Sequence, residues 1–153
     1  MFSFLTNIVT ECPLGWEEWE HSCYYFSPAE KFMTWNEAEA DCQKLNETAH
    51  LPSITSLNED QFVQNNTLGT TFWLGAYRKY AADYKETSSW SWKDGQNMTY
   101  TGWSAGQPNN YWWGERCIRS VNTDLDHLVP TWDDHRCWLR AANALVCKVM
   151  MIE

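Results

Sequence analysis

The sequence is poor in positive charge. Its 153 residues carry 11 Lys and Arg against 20 Asp and Glu, a formal net charge of −9. A phosphate-binding surface needs a basic excess, so nucleic acid and anionic membranes are poor partners. No run of about 18 apolar residues occurs, so membrane insertion is not expected. Met1 to Thr10 lack the basic start and long apolar run of a signal peptide. The expectation is a mature or recombinant form that begins after an export signal. No two cysteines form a CxxC pair, which removes zinc-ribbon and thioredoxin-like sites. None of His21, His50, His127 and His135 lies in an HExxH or G-x-S-x-G context, so no enzyme is expected. His135 is expected to be solvent-exposed. Internal repeats, linkers and low-complexity segments are also missing.

The remaining composition is that of a folded chain. It is 44% hydrophobic and 16% aromatic with 11 Trp, which suits one domain around one main core. The six cysteines are 12, 23, 42, 117, 137 and 147. An even count without metal spacing points to three disulfides and an oxidising, extracellular setting. Spacing alone does not choose among the possible pairings. Three N-x-[ST] sequons, at Asn46, Asn65 and Asn97, point to the same secreted compartment.

In chain order, residues 12–26 read as two short strands about a turn. Thr34-Trp35-Asn36-Glu37 and Ser56-Leu57-Asn58-Glu59 are capping boxes, in which the hydroxyl and carboxylate satisfy each other's backbone donors. The first opens a helix with Trp35, Ala38, Cys42 and Leu45 on one face. The second opens a helix carrying Phe62 and Val63, stopped near Gly69. Thr70 to Tyr77 is β-branched and aromatic and reads as a buried strand. Trp90-Ser91-Trp92 and Cys117 to Val121 alternate as strands, with a turn at Lys93-Asp94-Gly95. Residues 122–136 read as loop around Pro130, and Ala144 to Cys147 as the last strand. This order gives an α+β class with long functional loops.

Those loops carry oxygens. Gln107 and Asn109 flank Pro108, Glu115 lies just before Cys117, and Asp133-Asp134 lies just before Cys137. Calcium takes roughly six to eight hard oxygen ligands from carboxylates, amide carbonyls, backbone and water. A cis bond at Pro108 would let both amides face one point. Neighbouring carboxylates on a loop suit chelation better than acid–base work.

At these residues the sequence resembles the C-type lectin-like domain family, from about Cys12 to Lys148. The landmarks are the Trp35-x-x-Ala38-x-x-x-Cys42 helix, Trp73-Leu74-Gly75-Ala76, Tyr100-Thr101-Gly102-Trp103, Gln107-Pro108-Asn109-Asn110, Glu115-x-Cys117, Trp132-Asp133-Asp134-x-x-Cys137 and Leu145-Val146-Cys147. The resemblance implies two helices flanking two small antiparallel sheets with a long-loop region. It also implies the pairs Cys12–Cys23, Cys42–Cys147 and Cys117–Cys137. It divides the chain into an extension (1–11), the recognition domain (12–148) and a tail (149–153). Sugar-binding members hold Ca²⁺ through an EPN or QPD tripeptide, a later Glu and a WND motif, which fall here on Gln107, Asn109, Glu115, Asp133 and Asp134.

The chain departs from that pattern, with QPN for the tripeptide and WDD for WND. Charge counting links the two changes: the tripeptide contributes no carboxylate, and Asp133 restores the total of three. The implied sugar contacts are Gln107, Asn109, Glu115 and Asp133, with Tyr111 and Trp113 as stacking faces beside Trp112. EPN goes with mannose and GlcNAc in the family, and QPD with galactose. Gln107 and the aromatics lean this chain toward galactose or GalNAc. Asn110 and Glu115 fit an auxiliary Ca²⁺ site, but Arg116 puts a cation beside it. No complete second site is expected, although Asp83 and Glu86 keep one open. The expected partner is a glycan, bound by a homodimer or larger homo-oligomer. A mannose-type specificity, or a Ca²⁺-independent domain that binds protein, is the alternative.

Overall fold

The computed structural model describes residues 10–79, 82–124 and 129–151. Two helices and seven strands form in chain order: β1 (Glu17–Trp19), β2 (Ser22–Phe26), α1 (Trp35–Leu45), α2 (Leu57–Asn65), β3 (Thr70–Arg78), β4 (Trp90–Trp92), β5 (Cys117–Asn122), β6 (Trp132–His135) and β7 (Val146–Met150). They build two antiparallel sheets, β1-β2-β7 and β4-β3-β5-β6. The α+β class and both helices match the sequence expectation.

The helix starts follow their sequence signals in part. Thr34 and Ser56 each accept the N–H of the residue three positions on, at 3.1 Å. The reciprocal half of each box is spent elsewhere. Glu37 pairs with Arg140 at 3.2 Å, and Glu59 takes the Thr55 N–H at 3.2 Å. Tertiary partners draw both carboxylates away, Arg140 for Glu37 and the buried Lys148 and Tyr24 for Glu59. On α1, Trp35, Ala38 and Cys42 are buried as expected, but Leu45 is exposed and Glu39 is buried in its place. Glu39 earns that position by accepting from Leu51 N–H and bonding His50.

Two strand expectations are corrected. Trp132–His135, read as loop, is β6, because Trp132 fills the core and the strand pairs with β5 from Cys117↔His135 to Ser120↔Trp132. The last strand starts at Val146 and runs to Met150, past the expected domain boundary, because it pairs with all of β2.

The core lies between the sheets and helices. Trp73 and Trp132 are fully buried. Trp35 Nε1 donates to Leu74 O at 2.9 Å and Trp73 Nε1 to Met33 O at 2.8 Å, which ties α1 and its leading segment to β3. The disulfides Cys12–Cys23, Cys42–Cys147 and Cys117–Cys137 form as implied. The first closes the N-terminal segment onto β2, the second ties α1 to β7, and the third ties the start of β5 to the segment after β6. Lys148 and Glu59 form a buried ion pair joined by the Tyr24 hydroxyl.

Gly75 is where β3 passes closest to another backbone. A Cβ there would stand 2.3 Å from Leu51 O. Gly75→Ala is expected to cost about 2–3 kcal/mol through overpacking. Urea unfolding checks this: the midpoint should fall with the m-value unchanged.

Candidate functional site

Residues 101–116 form the long loop, and its beginning is docked onto β6. Trp132 N donates to Gly102 O and Ser104 N to Trp132 O, both at 2.9 Å. Gly106, at φ +81°, turns the chain so that Gln107 N reaches Ser104 O at 2.9 Å. The Gln107–Pro108 bond is cis, the condition the sequence reading set. Asn110, Trp112 and Trp113 then take left-handed φ values of 46°, 59° and 56°. Non-glycine residues adopt this region at a cost of roughly 1–2 kcal/mol each, so the surrounding contacts must hold them there.

Asp134 supplies the central contact. It is 2% exposed, and its two carboxylate oxygens accept the N–H groups of Asn109 (3.0 Å) and Asn110 (2.7 Å). The two acidic loops therefore meet. One residue further, the Tyr111 N–H points at both Asn109 Oδ1 (3.2 Å) and Glu115 Oε2 (2.9 Å), which brings these oxygens together. Gln107 Oε1 is buried without a hydrogen-bond partner. An unsatisfied buried acceptor costs about 1–3 kcal/mol. Glu115 is buried and its carboxyl is pushed up to about 7, first by burial and then by Asp134 and Asp133, against the Tyr111 N–H.

Asp133 lies apart from this group. Successive residues of a strand face opposite ways, so Asp133 and Asp134 leave β6 on different faces. Asp133 stands opposite Arg119 in the β5–β6 register. Its oxygens accept from Arg119 Nε at 2.9 Å and Nη2 at 3.1 Å, a bidentate pair. Arg119 is fixed in turn by Ala141 O at 3.0 Å. Among the described residues, no three His, Cys, Asp or Glu side chains gather closely enough to hold a metal ion. The compensation read from QPN and WDD is thus not assembled in this geometry. The side chains linked through the loop backbone are two carboxylates, Glu115 and Asp134, and the Asn109 amide, with the Gln107 amide on the same loop. Two negative charges, hard oxygens and an orphaned buried acceptor fit a divalent cation such as calcium.

Arg78, at the end of β3, is the residue the sequence reading missed. It is 7% exposed. Its Nη1 donates to Ala82 O at 2.6 Å, and its Nη2 to Asn110 Oδ1 at 3.0 Å and Glu115 O at 3.1 Å. A guanidinium thus holds Asn110, which was expected to serve an auxiliary Ca²⁺ site. The signal available was a cation ending an otherwise buried apolar strand. Arg119, which holds Asp133, was missed for the same reason: its partner is visible only in the register. Tyr111, Trp112 and Trp113 are all exposed on the loop. His135 is half-buried against Trp73 rather than exposed, and burial and Arg119 lower its pKa. His127 lies outside the described residues.

The family model for the lectin C-type domain matches residues 31–149. The chain belongs to the C-type lectin family. Domains of this family bind carbohydrate and are not enzymes. Human C-type lectin domain family 4 member G is 31% identical over 86% of this chain, which spans 41% of that protein. The crystal structure of the C-type lectin CEL-I from Cucumaria echinata covers 93% of this chain and 99% of its own, with 26% identity and a TM-score of 0.75. A calcium-independent type II antifreeze protein covers 93% of this chain and 96% of its own, with 30% identity and a TM-score of 0.70. No helix among the described residues is long and apolar enough to cross a membrane.

Two outcomes follow from this geometry. The Glu115 carboxyl favours its protonated form in the fold, so its contribution in calcium-free buffer is a penalty that grows as pH rises from its unfolded value toward about 7. Between about pH 5 and 8 the wild type should lose stability relative to Glu115→Gln; thermal melts of both proteins across the range check it. Arg78→Lys keeps one charge but cannot bond three acceptors in the guanidinium's geometry. The Glu115 and Trp113 amides should then exchange about tenfold faster by NMR, with the core amides unchanged.

Proposed function

We propose that the chain is a secreted, calcium-dependent lectin that binds one terminal sugar through two vicinal hydroxyls. The observation that carries this is the backbone linkage that gathers the Asn109, Glu115 and Asp134 oxygens on the loop that also holds the buried, unpartnered Gln107 Oε1. These four residues would hold the ion. Calcium, when bound, offers coordination positions to the sugar hydroxyls. The chain's own groups orient the sugar. The Gln107 and Asn109 amides donate to hydroxyl oxygens, and the Glu115 carboxylate accepts a hydroxyl proton. Tyr111 or Trp113 covers the apolar ring face. Asp134 positions the tripeptide through its two backbone contacts. Asp133 stays with Arg119 and is outside the ligand set unless that pair opens.

The lean toward galactose or GalNAc rests on Gln107 and the exposed aromatics that follow it. A single site offers few contacts, so avidity would come from a dimer or larger assembly. A second reading, a calcium-independent domain for a protein or another surface, draws support from Asp133 being paired with Arg119 and from Arg78 bracing the loop through Asn110 and the Glu115 carbonyl.

Isothermal titration with galactose, GalNAc and mannose, in calcium and in EDTA, separates the two. The expected result is a Kd of roughly 1 mM for the preferred sugar, lost in EDTA. Gln107→Glu should move preference toward mannose, and Asp134→Asn should weaken calcium and sugar together. Sugar binding that persists in EDTA would sink the calcium-dependent reading.

A further inference from the structure

The chain is strongly acidic, yet two adjacent cavities on it are lined by cations and by no Asp or Glu among the described residues. One, of about 520 Å³, lies between Arg78, Asn110, Trp113, Arg116 and Trp138. The other, of about 360 Å³, lies between Trp35, Tyr77, Arg78, Lys93 and Arg116. Arg78 and Arg116 belong to both, so the two form a continuous cationic strip beside the 107–115 loop. In a protein with a net charge of −9, such a strip is a local exception.

We propose that this strip is a subsite for an acidic saccharide, one bearing a sulfate ester or a carboxylate. Arg78 is 7% exposed, and its Nε is buried with no hydrogen-bond partner. Its other groups bond two carbonyls and an amide oxygen, all neutral, and the guanidinium stands over the Trp90 ring at 5.7 Å from the centroid. The carboxylates acting on it, Asp134 and Asp83, are committed to backbone N–H groups of Asn109, Asn110 and Lys85. The guanidinium therefore bears a buried charge without a hydrogen-bonded counter-ion. Lys93, which lines one of the two cavities, is exposed. The saccharide assignment comes from the walls. Trp113 is 92% exposed and Trp138 is 59% exposed, and Trp138 lies against Gly114, with an added Cβ there meeting its ring at 3.1 Å. Indole faces take the apolar side of a sugar ring, while planar guanidinium groups take sulfate or carboxylate oxygens in pairs. A flat anionic bilayer would meet the acidic surface around a strip recessed in cavities. A phosphopeptide would leave the two indoles unused.

The subsite uses no calcium, so it stands independently of the calcium-dependent reading. The test is titration of the whole chain with dextran, dextran sulfate and inorganic sulfate in EDTA, at about 50 and 500 mM NaCl. Dextran sulfate is expected to bind and dextran not, with affinity falling at least about tenfold at the higher salt. Lys93→Gln, at an exposed site, should weaken dextran sulfate about threefold, and Lys93→Gln with Arg116→Gln about tenfold or more. Lys93→Gln should keep the wild-type melting temperature and any calcium-dependent binding of neutral sugar. Equal binding of dextran, or dextran sulfate affinity untouched by the double variant, overturns the proposal. Tighter binding of a phosphopeptide or of phosphatidylserine vesicles than of dextran sulfate overturns the saccharide assignment, as does inorganic sulfate matching the polymer per sulfate. Loss of neutral-sugar binding in calcium, with dextran sulfate still bound, would count against the calcium reading alone.

Discussion

The Asp134 carboxylate holds the functional end of this lectin domain together. It sits buried on β6, at the edge of its sheet, and receives two consecutive backbone N–H groups from the loop docked along that strand. A buried carboxylate needs such donors, and a loop with left-handed residues at three positions needs an anchor. Each requirement answers the other. Around this contact the Tyr111 N–H draws Asn109 and Glu115 together, and Arg78 holds Asn110 and the Glu115 carbonyl from behind.

The pleat of β6 then divides the two neighbouring acids. Asp134 faces the loop, while Asp133 faces Arg119 across the β5–β6 pair. A one-residue step along a strand reverses the direction of the side chain, so adjacent carboxylates in sequence become separate structural units. Counting charges along the chain treats them as one pool. The structure gives one to the site and one to an ion pair that braces the sheet.

Much of the fold was legible because its signals are local or repeated: the Thr34 and Ser56 caps, the Trp35–Cys42 face, the aromatic β3 segment and the turn at Gly95. The family resemblance supplied the disulfide pairing, which no spacing rule could. β6 was missed because its residues, Trp132-Asp133-Asp134-His135, carry two acids beside one aromatic and do not read as a strand in isolation. Pairing with β5 overrides that weak propensity. The reciprocal halves of the capping boxes failed for a similar reason, since Arg140 drew Glu37 and the buried Lys148 and Tyr24 drew Glu59.

The sequence by itself determined the class, the helix starts, the candidate oxygens and the acidity that makes phosphate-bearing partners poor matches for the surface as a whole. It did so because composition, periodicity and capping act over a few residues. Tertiary structure alone decided which oxygens converge, since that depends on strand register and on where a returning loop finds a carboxylate. It also decided the roles of Arg78 and Arg119. A cation's meaning is set by what lies within a few ångströms of it, and here those neighbours are four residues away in one case and more than thirty in another.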